Sequence, residues 1–183
     1  IPIKKSTELF GLMNVVFFSP EDLSMIKNGP GERRRFMDLE LCQLNKLYLY
    51  YLSNYNKILN QRNNLLKQIY FNSSLHDTLD IWDQQLCEYG TKIIEGREQF
   101  LSEMNELVGE IHSTLSGGKE RLSIGYDKSV SAENLADKLK KTREQDIYRK
   151  ATGCGPHRDD ISFYIGEENL KLFKEMREGK YKD

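Results

Sequence analysis

Three consecutive arginines, Arg33, Arg34 and Arg35, follow the break Gly29-Pro30-Gly31, and a second dense cluster reads Gly155-Pro156-His157-Arg158-Asp159-Asp160. Guanidinium groups at this density suit two kinds of chemistry: forked donation to the phosphates of DNA or a nucleotide, or ion pairing with carboxylates. Three neighbours on a helix fan out over about 200°, so they cannot all face one phosphate. One or two are expected to pair with acids such as Glu21, Asp22 or Asp38, and both readings stand open. His157 and Arg158 could clamp a phosphate or tie down the base of a neighbouring element. Lys57, Arg62 and Lys67 recur further along, where a solvated helix face is the competing reading. The phosphate- or DNA-binding candidates are therefore Arg33, Arg34, Arg35, Arg62, Lys67, His157 and Arg158.

Catalytic chemistry is harder to find. Leu115-Ser116-Gly117-Gly118-Lys119 resembles both an ABC-type signature and a phosphate loop, but either needs its glycines to open a helix, so that backbone N–H groups face the phosphates. Here the Gly-Gly pair closes a long helical pattern and leads into a strand, which is helix-end chemistry. Asp159-Asp160 precedes a strand instead of following one, the wrong end for holding Mg²⁺. His76, His112 and His157 have no nearby Ser or Cys in a triad setting. Cys42, Cys87 and Cys154 are odd in number and widely spaced, which argues against a disulfide framework or a zinc site and for reduced thiols in the cytoplasm. No catalytic or metal-ligating residue is assigned.

The elements that must position these groups are mainly helical. The chain of 183 residues is 38% hydrophobic and 30% charged, a polar balance that suits elongated helices. With 27 Lys+Arg against 28 Asp+Glu the net charge is -1, so nucleic-acid affinity would have to come from a local basic patch. No apolar run approaches the ~20 residues that span a membrane. Residues 6–12 read as a short helix capped by Ser6, and 14–18 as a strand buried on both faces. Ser19-Pro20 opens a helix that stops at Asn28-Gly29-Pro30. Helices follow over 32–44, from Asn45 to a polar turn at Asn72-Ser73-Ser74, and over 78–115.

The last of these would be about 55 Å long. Its expected seam is Leu79, Trp82, Leu86, Tyr89, Ile93, Phe100, Met104, Leu107 and Ile111, a coiled-coil interval that asks for a partner. The preceding helix, reversed at Asn72, supplies one, giving an antiparallel hairpin arm with some bending at Gly90, Gly96 and Gly109. Residues 119–127 read as a strand and 131–148 as a helix capped by Ser131. A hairpin follows, with strands 161–165 and 170–173 about the turn 166–169, then a charged, frayed tail. The fold class is mainly α with small α/β parts. Residues 1–30 are a head fragment, 31–150 the helical arm, and 151–183 a return to the head.

Two segments together resemble the RecF family of bacterial recombination-repair proteins. One is Pro20-Glu21-Asp22, Met25-Ile26, Gly29-Pro30, Arg33-Arg34 and Phe36-Met37-Asp38. The other is Gly155-Pro156-His157-Arg158-Asp159-Asp160. Gln61-Arg62-Asn63 adds to the likeness, while Asn28 stands where the family commonly has glycine. The resemblance implies a head of the ABC/SMC ATPase type with the arm inserted in it. It also implies binding of single- and double-stranded DNA, ATP with Mg²⁺ in the full-length family, a homodimer through the ATPase head, and recombinase loading with RecO and RecR. Glu21 would then be a nucleotide-sensing candidate. The chain begins after the Walker A loop would have passed. Past Phe173 it reads Lys174-Glu175-Met176-Arg177-Glu178 in place of a signature loop, and no Walker B strand arrives. The expectation is a central portion without ATPase activity or a cofactor of its own. The alternative is a protein–protein interaction arm without direct DNA contact.

Overall fold

The computed structural model describes residues 24–166 and 168–169. The expected helix over 6–12, the strand over 14–18, the Ser19-Pro20 helix start, Glu21, the second hairpin strand over 170–173 and the charged tail lie outside these residues.

A short helix α1 (Ser24–Lys27) leads into α2 (Pro30–Leu44), which opens with proline in its first turn after an extended Gly29. Proline fits there because its missing N–H would have had no helical partner. Asn45 ends α2 with an extended backbone and starts α3 (Lys46–Ile69): its side-chain oxygen accepts from the N–H groups of Leu47 at 2.9 Å and Tyr48 at 3.3 Å. A 3-10 turn (Ser73–Thr78), its first N–H groups met by Asn72, reverses the chain into the 37-residue α4 (Leu79–Leu115). At the end of α4, Gly117 and Gly118 adopt φ of +65° and +78°. The N–H of Gly118 donates to Ser113 O at 2.8 Å and that of Gly117 to Thr114 O at 3.3 Å. That is a Schellman cap, so Gly117-Gly118 closes a helix and cradles no phosphate.

Strand β1 (Leu122–Asp127) follows, then α5 (Leu135–Lys141), α6 (Arg143–Arg149), a 3-10 turn (Pro156–Arg158), β2 (Asp160–Ile165) and β3 (Glu168–Asn169). The one helix expected over 131–148 is two. It begins at Leu135 with no side-chain cap from Ser131, and it breaks at Thr142, whose hydroxyl bonds back to Lys138 O at 3.0 Å. Lys150, at φ 56°, ends α6. The strands form one antiparallel sheet in the order β1-β2-β3, with Ile124 opposite Phe163 and Tyr164 opposite Asn169. Glu168 and Asn169, expected in the turn, are strand residues.

Helices α3 and α4 pack antiparallel: Arg62 meets Asp83 near the turn, Tyr55 lies against Gly90, and Tyr48 reaches Arg97 farther along. Gly90 is required there, because a Cβ would come within 2.8 Å of Leu135 Cδ2 and 3.1 Å of the Tyr55 ring. The buried stripe of α4 runs Leu79, Asp83, Leu86, Gly90, Ile93 and Arg97, continuing to Leu101 and Gly109. As far as Leu101 its steps are three and four, yet Asp83 and Arg97 are charged and Gly90 is a glycine. Of the expected seam, Leu79, Leu86 and Ile93 are buried in this stripe, and its later members turn progressively outward. Trp82, Tyr89, Phe100 and Met104 are half-buried, and Leu107 and Ile111 are 59% and 58% exposed. A coiled-coil zipper is not evident; the hairpin is held at two levels by buried ions.

Candidate nucleic-acid interface at the arm root

The first turns of α2 send the three arginines to three different places. Arg33 is buried and donates through Nε and Nη2 to both oxygens of Asp160, at 2.6 and 3.1 Å, and through Nη1 to the carbonyls of Met25 and Asn28. It ties α1, α2 and β2 together. Arg34 is half-buried and donates Nη1 to Asp159 O at 2.7 Å. Burial and the neighbouring Arg97 charge pull its pKa below the usual value, and Asp160 and Asp159 offset part of this. Arg35 is exposed and has neither hydrogen bond nor ion pair among the described residues.

Arg34 and Arg35 line a cleft of about 470 Å³ between α2, α3 and α4, with Leu49, Leu52 and Ile93 among its apolar walls. At one side Arg97, 2% exposed, chelates Asp38 with Nη2 at 2.9 and 3.0 Å, and its Nη1 donates to Pro156 O at 2.7 Å. Burial opposes the Arg97 charge, but the Tyr48 and Asp38 oxygens outweigh it and raise the pKa. Tyr48 also donates to Asp38 at 2.5 Å. Asp159, fully buried, forms an ion pair with Arg97 at 3.7 Å and accepts from Ser129 N at 2.8 Å and from the Tyr126 hydroxyl.

His157 lines the same cleft. Its Nε2 lies 3.1 Å from Thr152 O and its Nδ1 2.7 Å from Tyr55 Oη. A carbonyl only accepts, so Nε2 carries the proton and Nδ1 accepts from the Tyr55 hydroxyl. Burial drops the His157 pKa to about 4, which leaves the ring neutral near pH 7. Gly155 makes room for this pair: its φ is +121°, and a Cβ would stand 2.5 Å from Tyr55 Oη. Arg158 is exposed, with Nε and Nη2 donating to Thr152 O at 3.2 and 3.0 Å.

The remaining candidates lie elsewhere. Arg62 is fully buried, with Nε on Asp83 at 2.6 Å and Nη1 on Asp146 and Thr152 Oγ1, both at 2.8 Å. Arg143 shares Asp83 at 2.7 Å. As folded, Arg62 is an ion-pair hub between α3, α4 and α6 and presents no donor to an outside phosphate. Lys67 is exposed near the far end of α3. Sequence reasoning gave Asp38 to the arginine triplet and not to Arg97, and it missed Asp83, Arg97, Tyr55 and Asp146 as site residues. Searching the helix pattern for hydrophobic residues hid them, although their three-and-four spacing along α4 marked Asp83 and Arg97.

No protein-family model matches the chain. Curated relatives do: the DNA replication and repair protein RecF of Lachnoclostridium phytofermentans is 61% identical over 173 residues, covering 94% of this chain and 48% of the relative. The RecF of Lachnospira eligens is 53% identical with the same coverage. A solved structure of the recombination mediator protein RecF with ATP superimposes with a TM-score of 0.87 at 33% identity, over 93% of this chain and 48% of that one. The chain thus spans about half the length of the curated relatives it matches.

Proposed function

We infer that this chain, which belongs to the RecF family, serves DNA replication and repair as the arm-bearing part of a RecF-like protein, and that its root cleft contacts DNA phosphates. The observation that carries the reading is the division of labour among the arginines. Arg33 is consumed by Asp160, whereas Arg35 and most of the Arg34 fork are left facing a cleft. Two guanidinium groups with spare donors are an anion site, and a DNA backbone supplies a continuous row of anions. Arg158 adds charge on the neighbouring turn. His157, neutral and fixed, positions that turn without adding charge.

ATP is bound by the solved RecF relative. In a longer RecF-like protein ATP and Mg²⁺ would sit in the head, which the arm root would join; homodimerisation and Glu21 as a nucleotide sensor belong to the same proposal. The domain division, head at 1–30 and 151–183 with the arm between, is proposed with one qualification: β2 of the return segment pairs directly with β1 at the end of the arm. RecO and RecR are the partners proposed for recombinase loading. The direct test is duplex binding at low salt by this chain and its Arg35→Ala variant. Weakened binding with unchanged melting supports the reading; equal affinity overturns it.

A second reading, an interaction arm without DNA contact, is favoured by a different feature. Leu107, Ile111 and Leu115 lie four apart on α4 and are 59%, 58% and 81% exposed. Loss of RecR binding on replacing these three residues, with duplex binding absent throughout, would favour it.

A further inference from the structure

At the turn end of the hairpin, α3 finishes in two adjacent exposed aromatics. Phe71 is 80% exposed and Tyr70 48%. Their rings meet edge to face, centroids 5.2 Å apart at 82°. The backbone beneath them is fixed: Tyr70 N donates to Leu66 O at 3.2 Å, Phe71 N to Gln68 O at 3.0 Å and Asn72 N to Gln68 O at 2.9 Å. The Lys150 ammonium stands 3.9 Å from the Tyr70 centroid and 5.0 Å from that of Phe71. Lys67 lies one helical turn before the rings and Arg149 next to Lys150, both exposed. Of the local acids, Asp80 pairs with Arg143, and Glu144 lies 3.3 Å from His76, an ion pair only when that imidazole is protonated. Among the described residues of the turn, Asp77 alone is an acid with neither hydrogen bond nor ion pair.

We propose that this end of the hairpin is a stacking site for single-stranded nucleic acid, with Phe71 and Tyr70 taking unpaired bases and Lys67, Arg149 and Lys150 taking the flanking phosphates. The proposal deepens the DNA reading above and rests on it. A rigid aromatic platform bordered by cations binds single strands because every base has a π-face and every link a charge. Lys150 by itself proves little, since a cation is favoured at any helix C-terminus. The ring pair is what the packing of the hairpin does not use. A protein partner would need far more contact than two rings supply, because stable interfaces bury about 1,200 Å² or more, and a ring of this kind offers about 150–250 Å².

The test is fluorescence anisotropy of a labelled oligothymidine and of a duplex of equal length, titrated with this chain. Tyr70→Ala/Phe71→Ala is expected to lower single-strand affinity about tenfold while leaving duplex affinity and melting temperature unchanged. Phe71→Trp is expected to retain single-strand binding. Unchanged single-strand affinity in the double alanine variant overturns the stacking site and leaves the root cleft standing. Equal loss on single strand and duplex also overturns it, because paired bases cannot stack on the rings. A parent chain that binds neither probe at low salt overturns both readings.

Discussion

Arg62 of α3 and Asp83 of α4 meet at 2.6 Å inside the hairpin, at a level of the seam where two hydrophobic side chains would ordinarily interlock. Asp146 of α6 joins them at 2.8 Å, and Arg143 binds the other oxygen of Asp83 at 2.7 Å. Two cations and two carboxylates thus fasten three helices around a point that is almost dry. Removing one member strands a buried charge, which costs far more than the intact cluster contributes. Asp83→Ala is expected to destabilise the chain by about 3–5 kcal/mol in urea unfolding. Replacing the solvent-exposed Lys92 is expected to leave stability unchanged, and a mild effect at Asp83 would show that the cluster does not hold the hairpin.

The same logic separates the arginines at the arm root. Arg33 satisfies Asp160 and two backbone carbonyls from a buried position, so Arg33→Ala should cost about 3 kcal/mol or more. Arg35→Ala should leave the melting temperature where it was. Equal melting losses at both positions would contradict the division of roles.

His157 makes stability depend on pH. Its folded pKa of about 4 lies below the unfolded value of about 6.5, so the unfolded chain takes up the proton first. The stabilisation is therefore complete above about pH 6.5 and declines as pH falls toward 4, by up to about 3 kcal/mol. Denaturant midpoints measured across that range should lose this slope in His157→Gln, after allowance for its lower overall stability. An identical slope in both proteins would remove His157 as its source.

Leu107 and Ile111 carry the opposite expectation. Both stand in the apolar pattern of α4 and both face outward. Leu107→Ala should change unfolding free energy by less than about 1 kcal/mol, whereas Leu86→Ala, fully buried, should cost about 2–5 kcal/mol. Similar costs at the two leucines would mean the stripe is buried after all.

These contrasts mark how far residue patterns reach. The helix boundaries at Gly29-Pro30, Asn45, Asn72 and Gly117-Gly118 were legible because capping chemistry is local. The inward face of α4 was legible at Leu79, Leu86 and Ile93, but not that the seam admits Asp83, Gly90 and Arg97, because their burial depends on Arg62, Tyr55 and Asp38 from distant positions. The arginine and Gly-Pro-His-Arg clusters were visible as dense charge, and pairing with Asp38 was weighed, though for the wrong arginine. That Asp160 would consume Arg33, across 127 positions, is a tertiary fact. The split at Thr142 was hidden because one threonine is an ordinary helix residue.

Salt-dependent binding of a duplex to the root cleft tests the central claim most directly. The logarithm of affinity against the logarithm of salt concentration is measured for this chain and for Arg34→Ala/Arg35→Ala. Loss of two phosphate contacts predicts a fall in affinity and a slope shallower by about two. Superimposable lines would contradict the assignment of Arg34 and Arg35 to the DNA backbone.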